Sequence, residues 1–256
     1  MHLPSPHWTS SWPEWESISV WRLRLSALSD PDAVLRPLTV ASEHERARRY
    51  QFEADRHRHL AGRALARLVL SRPLDRDPRA LTFVDGPHGK PQLEPPPDAG
   101  PPLHHNVAHT GDMVVVAVSR AAPVGIDVES RAREMDAEAL ATRVCTEAER
   151  TWWHERPAPH RHDAFLHLWT CKEAFLKATG EGLHRAPDTI ECRFDGATIT
   201  ALDDATDSPP SSAADWTVQP FSAADGVAGA LVHNLARSPT IAWVDAAEIV
   251  TRTARA

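Results

Sequence analysis

One segment of mixed polar and apolar residues that ends in two glycines, residues 168–182, restricts the fold of this chain more than any other stretch. It predicts a helix on which Glu173 and Lys177 lie one turn apart on one face, and Gly180 and Gly182 predict its end. The simplest interpretation is an exposed ion pair that stabilises the helix by about 0.3–0.5 kcal/mol. The alternative is a functional site, and the other motifs of the chain favour it.

Two carboxylates share one side of a predicted strand at residues 124–129. The period of two in Val-Gly-Ile-Asp-Val-Glu puts Gly125, Asp127 and Glu129 on one face and the three apolar side chains on the other. Like charges this close raise the pKa of one carboxyl or require a cation, and oxygen ligands suit Mg²⁺. Glu173 is the candidate third ligand. The alternative is the solvent-facing side of a strand that buries only its other face.

The composition excludes several classes of protein. A formal net charge of −7 over 256 residues argues against non-specific nucleic-acid binding. No stretch approaches the roughly 18 apolar residues of a membrane span. The cysteines, Cys145, Cys171 and Cys192, are odd in number and lack metal-type spacing. We therefore expect reduced thiols and a cytoplasmic protein.

Positive charge is concentrated in a stretch with seven arginines between residues 46 and 67. This predicts a local anionic ligand, and the alternative is a solvated helix face. Lys90 lies in a turn rich in glycine and proline, where it is either a phosphate contact or only a turn residue. Asn106 and His109 precede a valine-rich strand, a common position for substrate contacts, although histidine is abundant in this chain.

The hydrophobic pattern predicts an α+β protein in which the order of strands, helices and strands occurs twice. The first half has predicted strands at 18–25, 81–84 and 113–118, a helix capped by Ser42 and a helix at 55–70. The second half has a strand at 124–129, adjacent and antiparallel to 113–118, and helices at 136–143, 146–155 and 163–179. Strands follow at 189–194, 197–201, 216–220, 228–233 and 241–244. Residues 94–102 are a predicted stiff connector and 203–214 a polar loop.

Five motifs succeed one another in the order found in one family that this chain resembles from Ser42 to Leu183, the Sfp-type 4′-phosphopantetheinyl transferases. They are the arginine-rich segment 48–58, Gly89-Lys-Pro91, Asn106-x-x-His109, Gly125-Ile-Asp-Val-Glu129 and Trp169-x-x-Lys-Glu-Ala-x-x-Lys177. The last two define the family, and their pairing at this separation is highly specific.

The resemblance implies an enzyme that transfers the 4′-phosphopantetheine arm of coenzyme A to a serine of an apo acyl or peptidyl carrier protein. The second product is 3′,5′-ADP, the metal is Mg²⁺ with Mn²⁺ as a substitute, and the expected setting is secondary metabolism, such as nonribosomal-peptide or polyketide synthesis. The implied partners are coenzyme A and the carrier protein. We expect a monomer that binds neither nucleic acid nor membrane.

The implied fold is α+β, with two similar halves packed as a pseudo-dimer and the active site in the cleft between them. Residues 1–120 form the N-terminal half, which would contact the coenzyme phosphates. Residues 121–256 form the C-terminal half, which would carry the metal ligands and the helix with the Lys-Glu-Ala motif.

The implied metal ligands and catalytic residues match the family motifs one by one. Asp127, Glu129 and Glu173 match the Mg²⁺ ligands. Either Glu173 or a metal-bound water would take the serine proton. Lys177 matches the lysine beside the pyrophosphate, and His109 joins Glu173 and Lys177 as the third implied catalytic residue.

The implied coenzyme contacts come from both halves. Arg58, Lys90 and His109 match contacts to the phosphates, and Lys177 matches a contact to the pyrophosphate. Lys172 matches the other lysine of the motif and is grouped with the coenzyme-binding residues, its own role being left open.

Two features depart from the family pattern. Ala108 stands where the family usually has Ser, and the loss of one neutral hydrogen bond would weaken coenzyme binding by about 0.5–1.5 kcal/mol. The N-terminal segment has no motif and is rich in tryptophan. We expect it to pack against the first half, with a partner surface as the alternative; its tryptophans are Trp8, Trp12, Trp15 and Trp21.

Two other functions fit the same carboxylates. A Mg²⁺-dependent phosphohydrolase would act on another nucleotide and release phosphate without a carrier protein. A catalytically silent module would bind coenzyme A or a carrier protein and would tolerate the loss of Asp127.

Overall fold

The computed structural model describes residues 3–13, 17–86, 88–94, 100–195, 198–204, 216–235 and 238–255. Within them the chain forms two compact units. The arginine unit comprises His7–Ala121 and Pro239–Ala256. The carboxylate unit comprises Ala122–Ser238 and the described part of Met1–Pro6. None of the helices in these ranges is both long and apolar enough to cross a membrane.

The described residues contain eleven strands and seven α-helices. The strands are β1 (Ile18–Arg24), β2 (Phe83–Asp85), β3 (Pro91–Leu93), β4 (His104–Thr110), β5 (Met113–Ser119), β6 (Val124–Ser130), β7 (Ile190–Asp195), β8 (Thr198–Asp204), β9 (Trp216–Ala224), β10 (Val227–His233) and β11 (Ile241–Asp245). The helices are α1 (Pro31–Leu35), α2 (Ala41–Ala47), α3 (Glu53–Ser71), α4 (Ala137–Val144), α5 (Glu147–His154), α6 (Ala158–Thr179) and α7 (Ala247–Thr253).

A four-stranded sheet with the order β11-β1-β5-β4 forms the framework of the arginine unit. β1 pairs antiparallel with β5 and parallel with β11, so among the described strands the last borders the first. Helix α3 packs on this sheet through its apolar face, which includes Leu65 and Val69. A Cβ atom at Gly62 would lie 3.1 Å from Val107 Cγ1, so this glycine lets α3 approach β4 closely.

A five-stranded antiparallel sheet with the order β6-β10-β9-β8-β7 forms the framework of the carboxylate unit. Helix α6 packs across β6 and β10, with Phe165 and Leu168 in the core. It ends at Gly180, whose φ of 79° lies in the left-handed region that glycine adopts without strain. The predicted end of the helix is therefore confirmed, while its start lies five residues before the predicted one.

The predicted fold class is confirmed, because the protein is α+β and has two halves. One strand pairing was predicted wrongly, and β4 was not predicted. β5 pairs with β1 and β4, whereas β6 pairs with β10, because the chain passes from one unit to the other at Ala121. Residues 106–109 precede the valine-rich strand β5, as expected, but they also belong to a strand that was not predicted, β4, where Asn106 pairs with Ala117 and His109 with Val114. The hydrophobic pattern did not predict this strand, because many of its side chains are polar.

The unit boundaries differ from the expected division at residue 120 in one respect. Residues 239–256 belong to the arginine unit, because β11 pairs with β1 and the apolar residues Ile249 and Val250 of α7 enter its core. Ser42 also differs from its expected role. It lies inside α2, whose first turn is closed by Glu43 accepting the Val40 N–H at 3.1 Å. Residues 95–99 of the predicted connector and 205–215, which include most of the predicted loop, lie outside the described residues.

The N-terminal tryptophans pack within the arginine unit, as expected. The rings of Trp8 and Trp243 lie 5.3 Å apart, and those of Trp12 and Trp21 lie 4.9 Å apart. Trp15 lies outside the described residues.

Gly125 lets helix α6 lie directly on strand β6. A Cβ atom at this position would be 1.9 Å from the Ala174 carbonyl oxygen and 2.5 Å from the Ala178 nitrogen. Both are backbone atoms, so neither can move aside as a flexible side chain would. Because Asp127 follows on the same side of β6, this contact also sets how closely the polar residues of α6 approach it.

Lys172 is buried in the core of the carboxylate unit, with 1% of its side chain exposed. Its Nζ lies 2.5 Å from Oε2 of Glu149, which is fully buried, and donates to the carbonyl oxygens of Val144, Pro187 and Ile190 at 2.7–3.0 Å. Three ammonium hydrogens are thus engaged by four acceptors. The expectation that Lys172 contacts coenzyme A is therefore wrong, because it has no exposed donor.

The partner Glu149 holds several elements together. Oε2 accepts the Thr146 N–H at 2.8 Å, which closes the first turn of α5, and Oε1 accepts the Cys192 N–H of β7 at 2.8 Å. Lys172 and Glu149 thereby link α4, α5, α6 and β7. Glu173, the next residue of α6, is held in place by this network.

Replacing Gly125 with Ala should lower the free energy of unfolding by about 3 kcal/mol or more, because the new methyl group overlaps the backbone of α6. Urea denaturation followed by tryptophan fluorescence measures the change. Gly100→Ala is the matched control, since a Cβ there meets nothing within 4 Å. Wild-type stability of the Gly125 variant would contradict the close packing of α6 on β6.

Lys172→Met should lower the free energy of unfolding by about 3–5 kcal/mol, because it leaves the carboxylate of Glu149 buried without its cation. The double variant Lys172→Met, Glu149→Gln should lose less than the sum of the two single changes. Denaturant titrations of all three variants give the coupling energy.

Arg143→Met, which removes an exposed cation from α4, is the control and should change stability by less than about 0.5 kcal/mol. Additive effects of the Lys172 and Glu149 substitutions would show that the two side chains do not act as a buried pair.

Candidate active site

The two carboxylates of β6 are buried. Asp127 is 5% exposed and Glu129 is 8% exposed, because α6 packs on β6, a strand in which every residue from Val124 to Glu129 is buried. The interpretation of this motif as a solvent-facing strand side is therefore wrong. A buried carboxylate is costly unless it is paired, so the presence of two on β6 requires a cation or a function.

Lys177 of α6 reaches Asp127 of β6. Its Nζ lies 2.5 Å from Oδ1, while Oδ2 is buried and has no hydrogen-bond partner among the described residues. The simplest interpretation of the sequence, an exposed ion pair between Glu173 and Lys177, is therefore wrong. Lys177 instead pairs with Asp127, so the contact joins the helix to the strand. Glu173 lies one turn before Lys177 and is half-buried.

Burial raises the pKa of Asp127 to about 6. The Lys177 ammonium opposes this rise, and the negative charges of Glu173 and Glu129 add to it. The three carboxylates are therefore close enough to repel one another. A carboxylate oxygen without a partner, in a group of like charges, is suited to a divalent cation.

The donor set fits Mg²⁺ in its chemistry, since it consists of carboxylate oxygens and includes the unpartnered Oδ2 of Asp127. Asp127 and Glu129 are each paired with a cation of the chain, Asp127 with Lys177 and Glu129 with Arg133. Across the described ranges no three His, Cys, Asp or Glu side chains are gathered closely enough to hold a metal ion.

A pocket of about 630 Å³ in the arginine unit is lined by residues of α2, α3, β4 and the segment 79–91. Arg58, Lys90 and His109, which are far apart in the sequence, all line it. The structure therefore brings together the three residues predicted to contact coenzyme phosphates. Ala108, the position of the missing hydroxyl, is 4% exposed and is absent from the lining formed by the described residues.

The pocket wall carries more positive than negative charge. Its cationic side chains are Arg46, Arg58, Arg63, Arg67, Arg79 and Lys90, and its acidic side chains are Glu43 and Asp85. Glu43 is buried and accepts from Arg63 Nε at 2.6 Å and from Arg67 Nε at 3.0 Å. The excess of cations makes the pocket suited to an anionic ligand with more than one negative charge.

Several pocket side chains are fixed by the fold itself. Arg67 donates to the carbonyl oxygens of Pro78 and Leu81 at 2.9 and 2.8 Å, and Arg58 donates to that of Gly111 at 2.7 Å and pairs with Asp55. Burial lowers the pKa of Lys90 to about 8. The ammonium therefore loses its charge around pH 8.

The sequence interpretation missed which arginines share the pocket with His59. His59, Arg63 and Arg67 are spaced four residues apart on α3, so they lie on one face of this helix. The four-residue spacing could have predicted that these three side chains share one face of the helix. Glu43 of α2 contacts the same face. The buried role of Lys172 also had a signal, since Leu168 and Leu176 flank it at the same spacing.

Comparison with known proteins places both units in one family. The model of the 4′-phosphopantetheinyl transferase superfamily matches residues 123–232, and that of the 4′-phosphopantetheinyl transferase N-terminal region matches residues 32–121. The two matches meet where the chain passes from the arginine unit to the carboxylate unit.

Curated relatives agree. 4′-Phosphopantetheinyl transferase Sfp of Bacillus subtilis is 33% identical over 63% of this chain and 70% of its own length. 4′-Phosphopantetheinyl transferase psf-1 of Bacillus pumilus is 31% identical over 73% of this chain and 80% of its own length. A Synechocystis relative is 36% identical over 57% of this chain, but the match spans only 58% of that relative. This chain belongs to the 4′-phosphopantetheinyl transferase superfamily.

Proposed function

We propose that this protein transfers the 4′-phosphopantetheine arm of coenzyme A to a serine of an apo acyl or peptidyl carrier protein and releases 3′,5′-ADP. Asp127, Glu129 and Glu173 hold Mg²⁺ or Mn²⁺ in this proposal. The free, buried cysteines support the expected cytoplasmic location. The protein would act as a monomer.

The burial of Asp127 beside Lys177 is the observation that carries the proposal. One carboxylate oxygen contacts the ammonium at 2.5 Å and the other is buried without a partner among the described residues. An ion pair formed for stability alone would leave neither oxygen unsatisfied, because burying an unpaired oxygen is costly. The arrangement is suited to a second cation, and the names of the relatives support phosphopantetheine transfer.

In the proposed reaction, the serine oxygen of the carrier forms a bond to the phosphorus next to the pantetheine. The bond from that phosphorus to the bridging oxygen breaks, and 3′,5′-ADP leaves with the bonding electrons. A divalent ion would supply neutralisation of the pyrophosphate charge. Lys177 would stabilise the charge that moves onto the leaving phosphate, and Glu173 would take the serine proton.

The pocket of the arginine unit would bind the phosphates of the coenzyme. Lys90 and Arg58 would contribute charge, and His109, which is exposed on β4, would donate a hydrogen bond. The excess of positive charge in the pocket wall supports this assignment, because the chain as a whole is acidic, with a net charge of −7.

The proposal predicts that the protein adds the mass of one phosphopantetheine group to an apo carrier protein in the presence of coenzyme A and Mg²⁺. Asp127→Asn should reduce the rate by at least about 100-fold, because it weakens binding of the divalent ion that would neutralise the phosphate charge. Intact-mass spectrometry of the carrier measures both results. Glu138→Gln, an exposed change on α4, is the matched control and should retain the wild-type rate.

No mass gain with several carriers, in Mg²⁺ or Mn²⁺, would contradict the proposal. Phosphate release without a carrier would favour a phosphohydrolase, and full activity of Asp127→Asn would favour a different set of metal ligands. Glu173→Gln and Lys177→Met separate the two roles on α6, since only the former should raise the Mg²⁺ concentration needed for half-maximal rate.

The charge of Lys90 predicts a pH dependence of nucleotide binding. Because the pKa of this lysine is about 8, the ammonium is present below pH 8 and is lost as the pH rises above it. Phosphate binds the ammonium form, so the affinity for 3′,5′-ADP should be level below pH 8 and should fall above it. Isothermal titration from pH 6.5 to 9.5 measures this, and 3′,5′-ADP avoids the titrating thiol of coenzyme A.

Lys90→Gln should bind 3′,5′-ADP about 10- to 100-fold more weakly at pH 7 and should lose the decrease around pH 8. Arg143→Met serves as a control for general loss of positive charge. The same decrease in the Lys90 variant as in the wild type would assign the titrating group elsewhere.

A further inference from the structure

One histidine in the wall of the arginine-unit pocket has an unsatisfied ring nitrogen. His59 lies on α3, and its Nε2 is buried and has no hydrogen-bond partner within the described part of the chain. Its ring is held by Tyr50, whose centroid lies 5.4 Å away. Buried side-chain nitrogens are seldom left without a partner, so we expect Nε2 of His59 to contact a ligand.

Four charged or titratable side chains act electrostatically on His59. Arg46 and Glu43 face it from α2, Arg63 from the next turn of α3, and His109 from β4. The remaining charged and titratable side chains of the pocket are Arg58, Arg67, Arg79, Lys90, Asp85 and His105. Burial, together with the repulsion from Arg46 and Arg63, lowers the pKa of His59 to about 4. The imidazole is therefore neutral at pH 7, so only one of its two ring nitrogens carries a hydrogen.

We propose that His59 is a ligand-binding residue of this pocket, which donates its Nε2–H to a phosphate oxygen of the bound coenzyme. The inference rests on the proposed function, because that function supplies the phosphate. A phosphate is the fitting acceptor for two reasons. The arginines around His59 carry donors and no acceptor. An anion that they attract would bring acceptor oxygens to Nε2 of His59, which has no partner among the described residues.

The contribution of His59 differs from that of the arginines. A neutral imidazole adds direction but no charge, so it selects the position of a phosphate oxygen rather than attracting any anion. Leucine at this position would keep the apolar contact with Tyr50 and remove the donor. Glutamine would restore a donor, because its amide nitrogen extends about as far from the backbone as the imidazole Nε2.

The test measures binding of 3′,5′-ADP by isothermal titration at pH 7, which requires neither a carrier protein nor a metal. His59→Leu should weaken binding about 10- to 100-fold, as expected for the loss of a hydrogen bond to a charged acceptor, and His59→Gln should recover most of it. His57→Leu is the matched control. It lies two residues earlier on α3, pairs with Asp32 and Glu53, and is absent from the described pocket lining, so its affinity should not change.

A spectroscopic measurement on the wild-type protein keeps the proposal testable if His59→Leu does not fold. In ¹⁵N-histidine-labelled protein, the Nε2 resonance of His59 should shift on addition of 3′,5′-ADP as its hydrogen bond forms, while that of His57 should stay in place. Titration with 5′-AMP then shows which phosphate is contacted. An effect of His59→Leu on 3′,5′-ADP alone indicates the 3′-phosphate, and an effect on both nucleotides indicates the 5′-phosphate.

The outcomes distinguish the coenzyme-binding role of the pocket from the role of His59 within it. If the wild type does not bind 3′,5′-ADP, the coenzyme-binding role of the pocket and the role of His59 both fail. If the wild type binds it and His59→Leu binds equally well, or if the His59 resonance does not move, only the role of His59 fails.

Discussion

The close contact between α6 and β6 is the constraint on which the carboxylate unit depends. Only a residue without a side chain fits at position 125, because the backbone of α6 fills the space where a Cβ would be. This contact lets a lysine on the helix reach a carboxylate on the strand. It also excludes water from that carboxylate, and burial then raises its pKa. One glycine thus determines both the geometry and the electrostatics of the candidate metal site.

Two lysines of one helix illustrate how neighbouring motif residues acquire different tasks. Lys172 faces inward and satisfies the buried Glu149 together with three carbonyl oxygens, so it is a structural residue. Lys177, five residues later, is 28% exposed and contacts Asp127. Because a helix turns by about 100° per residue, a separation of five positions places the two ammonium groups on different parts of the helix surface. The motif therefore combines a residue that positions the helix with a residue that faces the candidate site.

Periodicity was sufficient to predict the main helices, the end of α6 and the shared face of Asp127 and Glu129, since each depends on local spacing. The motif order was sufficient to predict that Arg58, Lys90 and His109 would meet. The sequence could not predict the burial of β6 or the separation of β5 from β6, because both depend on which sheet a strand joins. The strand character of His104–Thr110 was also hidden, since its polar side chains face the pocket rather than a hydrophobic core.

The pairing of β11 with β1 has a consequence for how the chain folds during synthesis. β1 leaves the ribosome before the other described strands, and β5 can pair with one of its edges once residue 119 has been made. The other edge must wait until Ile241 and the residues after it have been synthesised. An open strand edge attracts other strands, so the nascent arginine unit is exposed to mispairing while the whole carboxylate unit is being translated.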